Sequence, residues 1–157
     1  MTKRLTLALQ GHPTLARFSM RSSPAGIEHF EEVGPALGRL VSHPGSVLTS
    51  LDVAHCHLGD ANQDALDGHL RRLGIPVAKS FCGLDALFAA LPRNLTLRHL
   101  DVSSNEVARR FAAVLLRAVR ANTSLQCLSA DNSLFPQFSI RDLKAAECLV
   151  AARRPTL

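Results

Sequence analysis

The sequence contains no tryptophan and no tyrosine, and only three of its 18 basic residues are lysines. The missing rings remove the best platforms on which single-stranded nucleic acids stack, leaving Phe, His and Arg for any such role. No apolar run approaches the roughly 20 residues that span a bilayer as a helix. The opening MTKRLTLALQGHP breaks its short apolar stretch at Gln10, before a secretory core region can form. A cytoplasmic chain is therefore expected, with a cytoskeletal or nuclear assembly left open. The four cysteines, Cys56, Cys82, Cys127 and Cys148, have neither paired spacing nor the density of a disulfide scaffold, in keeping with a reducing compartment. Catalytic signatures are absent as well: there is no G-x-S-x-G, H-E-x-x-H or glycine-rich phosphate loop. Neither an enzyme nor a cofactor is expected.

What is present is an ordinary globular composition, 46% hydrophobic and 20% charged over 157 residues, enough for one core and read as a single domain, 1–157. The formal charge of +5 brings nucleic acid in as a less favoured partner.

The organisation is repetitive. LRHLDVSSNEV (97–107) echoes LTSLDVAHCHL (48–58): apolar residues stand first, fourth, sixth and eleventh, and Asn105 or Cys56 stands ninth. Leu125 opens a third copy, with Leu128 and Ala130 in place and Ser133 ninth. Leu15 opens a looser one, with Phe18, Met20 and Ser23. The step from Leu97 to Leu125 is 28 residues and that from Leu15 to Leu48 is 33, a period that marks stacked supersecondary units. Each copy follows a turn, at His12-Pro-Thr, His43-Pro-Gly, Asn94-Leu-Thr and Asn122-Thr-Ser. The last two match glycosylation sequons, but with no export signal they read as turns. Leu48 and Leu97 are 49 positions apart, room for two units. A degenerate strand around Leu73-Gly-Ile75-Pro-Val77 is the candidate filler, giving four to five repeats; an insertion is the alternative, since Pro76 weakens a central strand.

Between the copies the period becomes helical. Val107, Phe111, Val114, Leu115, Ala118 and Val119 share one face of a helix over 105–121, while Arg109, Arg110, Arg117 and Arg120 share the other. Further helices are expected at about 26–42, 60–71, 83–92 and 138–153, the third stopped by Pro92.

The pattern L-x-x-L-x-L-x-x-N-x-L followed by a helix resembles the leucine-rich repeat. The helix-containing length is similar to the ribonuclease-inhibitor-like subclass, which admits Cys where Cys56 stands. The resemblance implies an α/β solenoid, with a curved parallel sheet on the concave side and helices on the convex side. Similar proteins include inhibitors, scaffold subunits of large assemblies and ligand sensors, so a non-catalytic protein–protein interaction module is implied, with another protein as partner. The mechanics agree: strand side chains alternate, so Leu100 and Val102 fill the core while His99, Asp101 and Ser103 face outward. The ninth residue, where the chain turns away, satisfies backbone amides that the bend strands.

The outward positions make the candidate binding surface: Arg17; Ser50, Asp52 and His55; Arg98, His99, Asp101 and Ser103; Gln126, Ser129 and Asp131. Stacking sets Asp52 in one row with Asp101, provided an intervening unit keeps register, and Arg17, Ser50, His99 and Cys127 in another. A solvated strand surface without a partner is the plainer alternative. His55-Cys56-His57 invites a metal reading, but neighbouring strand residues point opposite ways and no second Cys or His stands at finger spacing. Cys127 beside His99 lacks the cleft and oriented base of a nucleophilic site. The basic stripe Arg109, Arg110, Arg117 and Arg120 is a solvated helix face or an alternative contact for an acidic protein, a phosphate backbone or an anionic membrane. A second functional reading is a regulator of an enzyme, such as a GTPase activator, with Arg21 or Asn132 at the strand ends reaching a nucleotide. Leu5, Leu7 and Leu9 read like the end of a preceding helix, and Leu157 comes without a cap. The chain is thus expected to be an excerpt of a longer solenoid or to have its ends covered by another subunit.

Overall fold

The apolar residue at the fourth place of each repeat is the middle of a three-residue strand, and its side chain points into the core. The strands are β1 (Arg17–Ser19), β2 (Ser50–Asp52), β3 (His99–Asp101) and β4 (Cys127–Ser129). Leu51, Leu100 and Leu128 are buried at 1%, 2% and 8% exposure, whereas Phe18 is only half-buried. This computed structural model describes residues 8–23, 25–59, 72–74, 83–105, 109–130 and 137–153. The expected helix over 60–71, the Ile75–Val77 part of the degenerate strand, the side chains of Arg109 and Arg110, Asp131, Asn132, Leu5, Leu7 and Leu157 lie outside the described residues.

The sheet is parallel throughout, in the order β1-β2-β3-β4. One expectation is overturned here: no strand stands between β2 and β3. Ser50, Leu51 and Asp52 pair directly with His99, Leu100 and Asp101. Thr49 O accepts the amides of Arg98 and His99, while Val53 N donates to Asp101 O at 2.9 Å and His55 N to Ser103 O at 3.1 Å. These bonds occupy the edge that a fifth strand would need. The long interval is therefore one repeat carrying an insertion, and Leu73 lies 60% exposed outside the sheet.

The helices lie behind the sheet. They are α1 (Ala25–Ser42), α2 (Asp85–Ala90), α3 (Arg109–Ala121) and α4 (Gln137–Ala151). After α2 the chain tightens into a 3-10 turn, Leu91–Arg93. Pro92 has no amide hydrogen to continue the α ladder, which is why the helix ends at Ala90. Leu37 and Leu40 of α1, Leu87 and Phe88 of α2, Leu115 and Val119 of α3 and Ala146 and Val150 of α4 are all buried against the strand leucines. Each buried leucine contributes about 1.5–3 kcal/mol over an exposed one. On α3 the buried face also takes Leu116, while Val114 is left half-buried, a rotation of the stripe by part of a turn from its expected direction.

Glycine sets the spacing of α1 and α2. A Cβ at Gly34 would stand 1.9 Å from the carbonyl oxygen of Gly83, and one at Gly38 would stand 2.7 Å from that of Ala86. The two elements meet backbone to backbone, which only glycine permits. Among the described residues, no helix is long and apolar enough to cross a membrane.

Candidate functional site

The strand register builds two rows of side chains on the outer face of the sheet. Arg17, Ser50, His99 and Cys127 align in one, and Ser19, Asp52, Asp101 and Ser129 in the other. Direct pairing of β2 with β3 brings Asp52 and Asp101 side by side without an intervening unit.

Two neighbouring carboxylates repel unless a cation joins them, and Arg21 does so. It comes from the corner after β1; its Nε donates to Asp52 Oδ2 at 2.9 Å and its second guanidinium arm donates to Asp101 Oδ2. Ser19 Oγ adds a bond to Asp52 Oδ2 at 3.3 Å. The other oxygen of each aspartate closes its own corner: Asp52 Oδ1 accepts from Ala54 N at 3.1 Å, and Asp101 Oδ1 accepts from Ser103 N at 3.0 Å and Ser103 Oγ at 2.6 Å. Partial burial pushes the Asp52 carboxyl up, but the Arg21 and Ala54 hydrogen bonds and the Arg21 charge more than offset this and hold it below the usual range. Coulomb attraction and hydrogen bonding thus outweigh burial and make one clamp across three repeats.

The candidate residues divide accordingly. Asp52 and Asp101 are internally satisfied. Ser103, expected on the open surface, is buried at 7% exposure, because its hydroxyl turns onto Asp101. Arg98 is half-buried and donates to Ser124 O at 2.9 Å, which lashes β3 to the next turn. Gln126 and Ser129 are half-buried, and Ser50 likewise. Arg17 and His99 are exposed, and neither has a side-chain hydrogen bond or ion pair among the described residues. His55 is also exposed, at a left-handed corner with φ 54° rather than on the strand itself; Ser22 and Ser104 hold the matching corners at 58° and 52°. On the helix side Arg117 and Arg120 are exposed.

His55-Cys56-His57 splits as the ladder reading requires. Cys56 is fully buried, with its thiol pointing to Met20 O at 2.9 Å, while both histidines are exposed. Burial is the main cause that raises the Cys56 thiol pKa. Asn105, 0% exposed, joins two repeats: its Oδ1 accepts from Cys56 N and Leu58 N at 3.1 Å each, and its Nδ2 donates to Val53 O at 2.7 Å and Val102 O at 3.0 Å.

A second ladder escaped sequence reasoning. In the turns before the strands, Asn94 and Asn122 are buried, at 6% and 1% exposure. Asn122 Oδ1 accepts from Ser124 N and Leu125 N, while its Nδ2 reaches back to Leu91 O at 2.7 Å and Asn94 O at 2.9 Å. Asn94 repeats the arrangement, with Nδ2 on Val41 O at 2.8 Å. The recurrence of an Asn or His turn ahead of every copy was the available signal. The Arg21 clamp had none, since its partners lie 31 and 80 residues away.

The repeat pattern has a counterpart among known families. The Leucine Rich repeat family model matches residues 46–61 and 93–108, the two copies whose ladder residues are Cys56 and Asn105. No curated protein matches the chain. Among solved structures, the actin-binding site 2 of leiomodin-1 is similar to it at 14% identity and a TM-score of 0.46, over 97% of this chain and 86% of that one.

Proposed function

We propose that this chain, built of leucine-rich repeats, is a non-catalytic protein-binding module that receives its partner on the outer face of its sheet. One observation carries the reading. The face holds an aspartate row whose hydrogen-bonding capacity is largely consumed inside the fold, next to a row whose Arg17 and His99 stand exposed with no side-chain partner among the described residues. A preorganised scaffold beside available donors suits recognition of another protein, because the ordering cost is met on folding. The ribonuclease-inhibitor-like subclass is consistent with Cys56 in the ladder, and a place in a larger cytoplasmic assembly is consistent with the extended polar face. The enzyme-regulator alternative receives no support from Arg21, whose guanidinium is engaged by Asp52 and Asp101.

The test is quantitative crosslinking from native extract with wild type, Arg17→Glu/His99→Glu and Arg117→Glu/Arg120→Glu. Loss of a specific protein partner in the first variant alone is the expected result. Loss in the second alone, accompanied by release of nucleic acid, would move function to the helices and overturn the reading.

A further inference from the structure

The seam between α1 and α2 on the helix side is unusually low. Because Gly34 and Gly38 let α1 approach the backbone at Gly83 and Ala86, the outer side of the contact is floored by Gly38, Ala86, Ala89 and Ala90. None of these carries a side chain long enough to fill it. Arg39 of α1 and Arg93 of the 3-10 turn stand at this groove, both exposed, and neither side chain makes a hydrogen bond or ion pair among the described residues. The groove runs on past Ser42 and Arg93 into a second depression bordered by Pro44 and Leu95, where Leu95 is 70% exposed.

We infer that this groove docks an acidic amphipathic helix of a partner protein. A shallow furrow between two helices accepts the side-chain ridge of a third, and small floor residues suit a ridge of Ala or Leu. Two exposed guanidiniums at an apolar floor select carboxylates beside that ridge, in forked geometry. The apolar floor offers nothing to a phosphate backbone, which would need donors along its whole track. A furrow also presents no projecting apolar residue to a bilayer along its length. Leu95 supplies one apolar knob at the far end, where a helix terminus leaves the groove.

The experiment is a display selection on the full chain with a library of helical peptides about 20 residues long. Enriched peptides are then measured by fluorescence anisotropy. Glu or Asp flanking an Ala/Leu ridge should be enriched. Affinity should fall about tenfold with Arg39→Glu/Arg93→Glu, as expected for two lost ion pairs at a partly desolvated site. Ala89→Gln, which fills the groove without changing charge, should also weaken binding, and Arg17→Glu/His99→Glu should leave it intact. Because Arg39, Arg93 and Ala89 are exposed, the fold should persist, and circular dichroism checks this. Failure to enrich acidic helices, or indifference of the enriched peptides to Ala89→Gln, overturns the inference. Binding of a duplex RNA or of phosphatidylserine vesicles at equal strength by wild type and Ala89→Gln overturns it too, by assigning the arginines to charge alone. Loss of peptide binding in the sheet-face variant would also overturn it, by placing the peptide on the other face.

Discussion

The turns at the two ends of the sheet meet the same requirement with different side chains. Before β3 and β4 the turn residue is Asn94 or Asn122, buried, with its carbonyl closing its own turn and its amide bonded to the preceding unit. Before β1 and β2 it is His12 or His43, exposed, with Nδ1 accepting from Thr14 N at 3.4 Å or Gly45 N at 3.1 Å. Imidazole replaces the acceptor but not the reach of the primary amide. His43 meets its neighbour through its ring, which packs where a Cβ on Gly11 would stand, 2.3 Å from the ring carbon. Gly11, at φ 67°, is therefore fixed twice, by its left-handed backbone and by the ring. Repeats at the asparagine end are sewn together by directional bonds, whereas those at the histidine end are coupled by contact.

The largest effect should come from the strand-side ladder, where both halves meet. Asn105→Ala deletes one acceptor and one donor group from a site with no water access, stranding Cys56 N, Leu58 N and Val53 O. Urea unfolding should show a loss of about 3 kcal/mol. Cys56→Ala removes a weak thiol donor and a small volume, and should lose about 1 kcal/mol. A Cys56→Ala cost equal to or above that of Asn105→Ala would break the view that directional amide bonds couple the repeats.

A middle-sized effect sharpens the contrast between the turns. Asn122→Ala should destabilise by about 2 kcal/mol, since Leu91 O, Asn94 O and two turn amides lose partners in a buried place. His43→Ala should destabilise by about 0.5–1 kcal/mol, because the turn it closes is exposed and water replaces the ring nitrogen. Hydrogen exchange should report the same order locally, with Leu125 N deprotected in the first variant. Equal costs would mean that the ring contact with Gly11 couples units as strongly as the amide does.

Sequence periodicity carried the repeat, the helix ends and the two rows of the sheet face, because each depends on residues within one unit or on a fixed register. Leu51 and Leu100 must face inward wherever the pattern occurs, and Pro92 stops a helix by its own covalent structure. What stayed hidden depends on contacts between units. The 49-residue interval looked large enough for two repeats, and only the direct pairing of Ser50 with His99 shows one. Ser103 alternates outward like any strand residue, yet its hydroxyl is drawn onto Asp101. Arg21 offered the appearance of a free cation at a strand end, and no local pattern discloses that two carboxylates from later repeats already engage it. Gly34 and Gly38 likewise look like weak points in a helix until Gly83 and Ala86 are seen against them.

The smallest predicted effect concerns that clamp, which spans the junction between the looser first repeat and the two well-matched ones. Because Asp52 titrates below its unfolded value, its ionised form stabilises the fold. That contribution is complete above the ordinary aspartate range near pH 4 and is lost as pH falls through this range to the folded value. Arg21 is nearly half exposed, so water and salt screen the pair and keep its contribution small. Arg21→Gln keeps a donor but removes the charge. Its stability should fall slightly at neutral pH and decline less steeply than wild type between about pH 5 and about pH 3. Asp52→Asn should flatten the same limb while leaving the Asp101–Ser103 corner in place. If all three proteins lost stability in parallel over that interval, the acid limb would belong to carboxylates elsewhere. The clamp would then add nothing to the bonds that already join the first repeat to the second, among them Met20 N to Asp52 O, Ser22 N to Ala54 O and the Cys56 thiol to Met20 O.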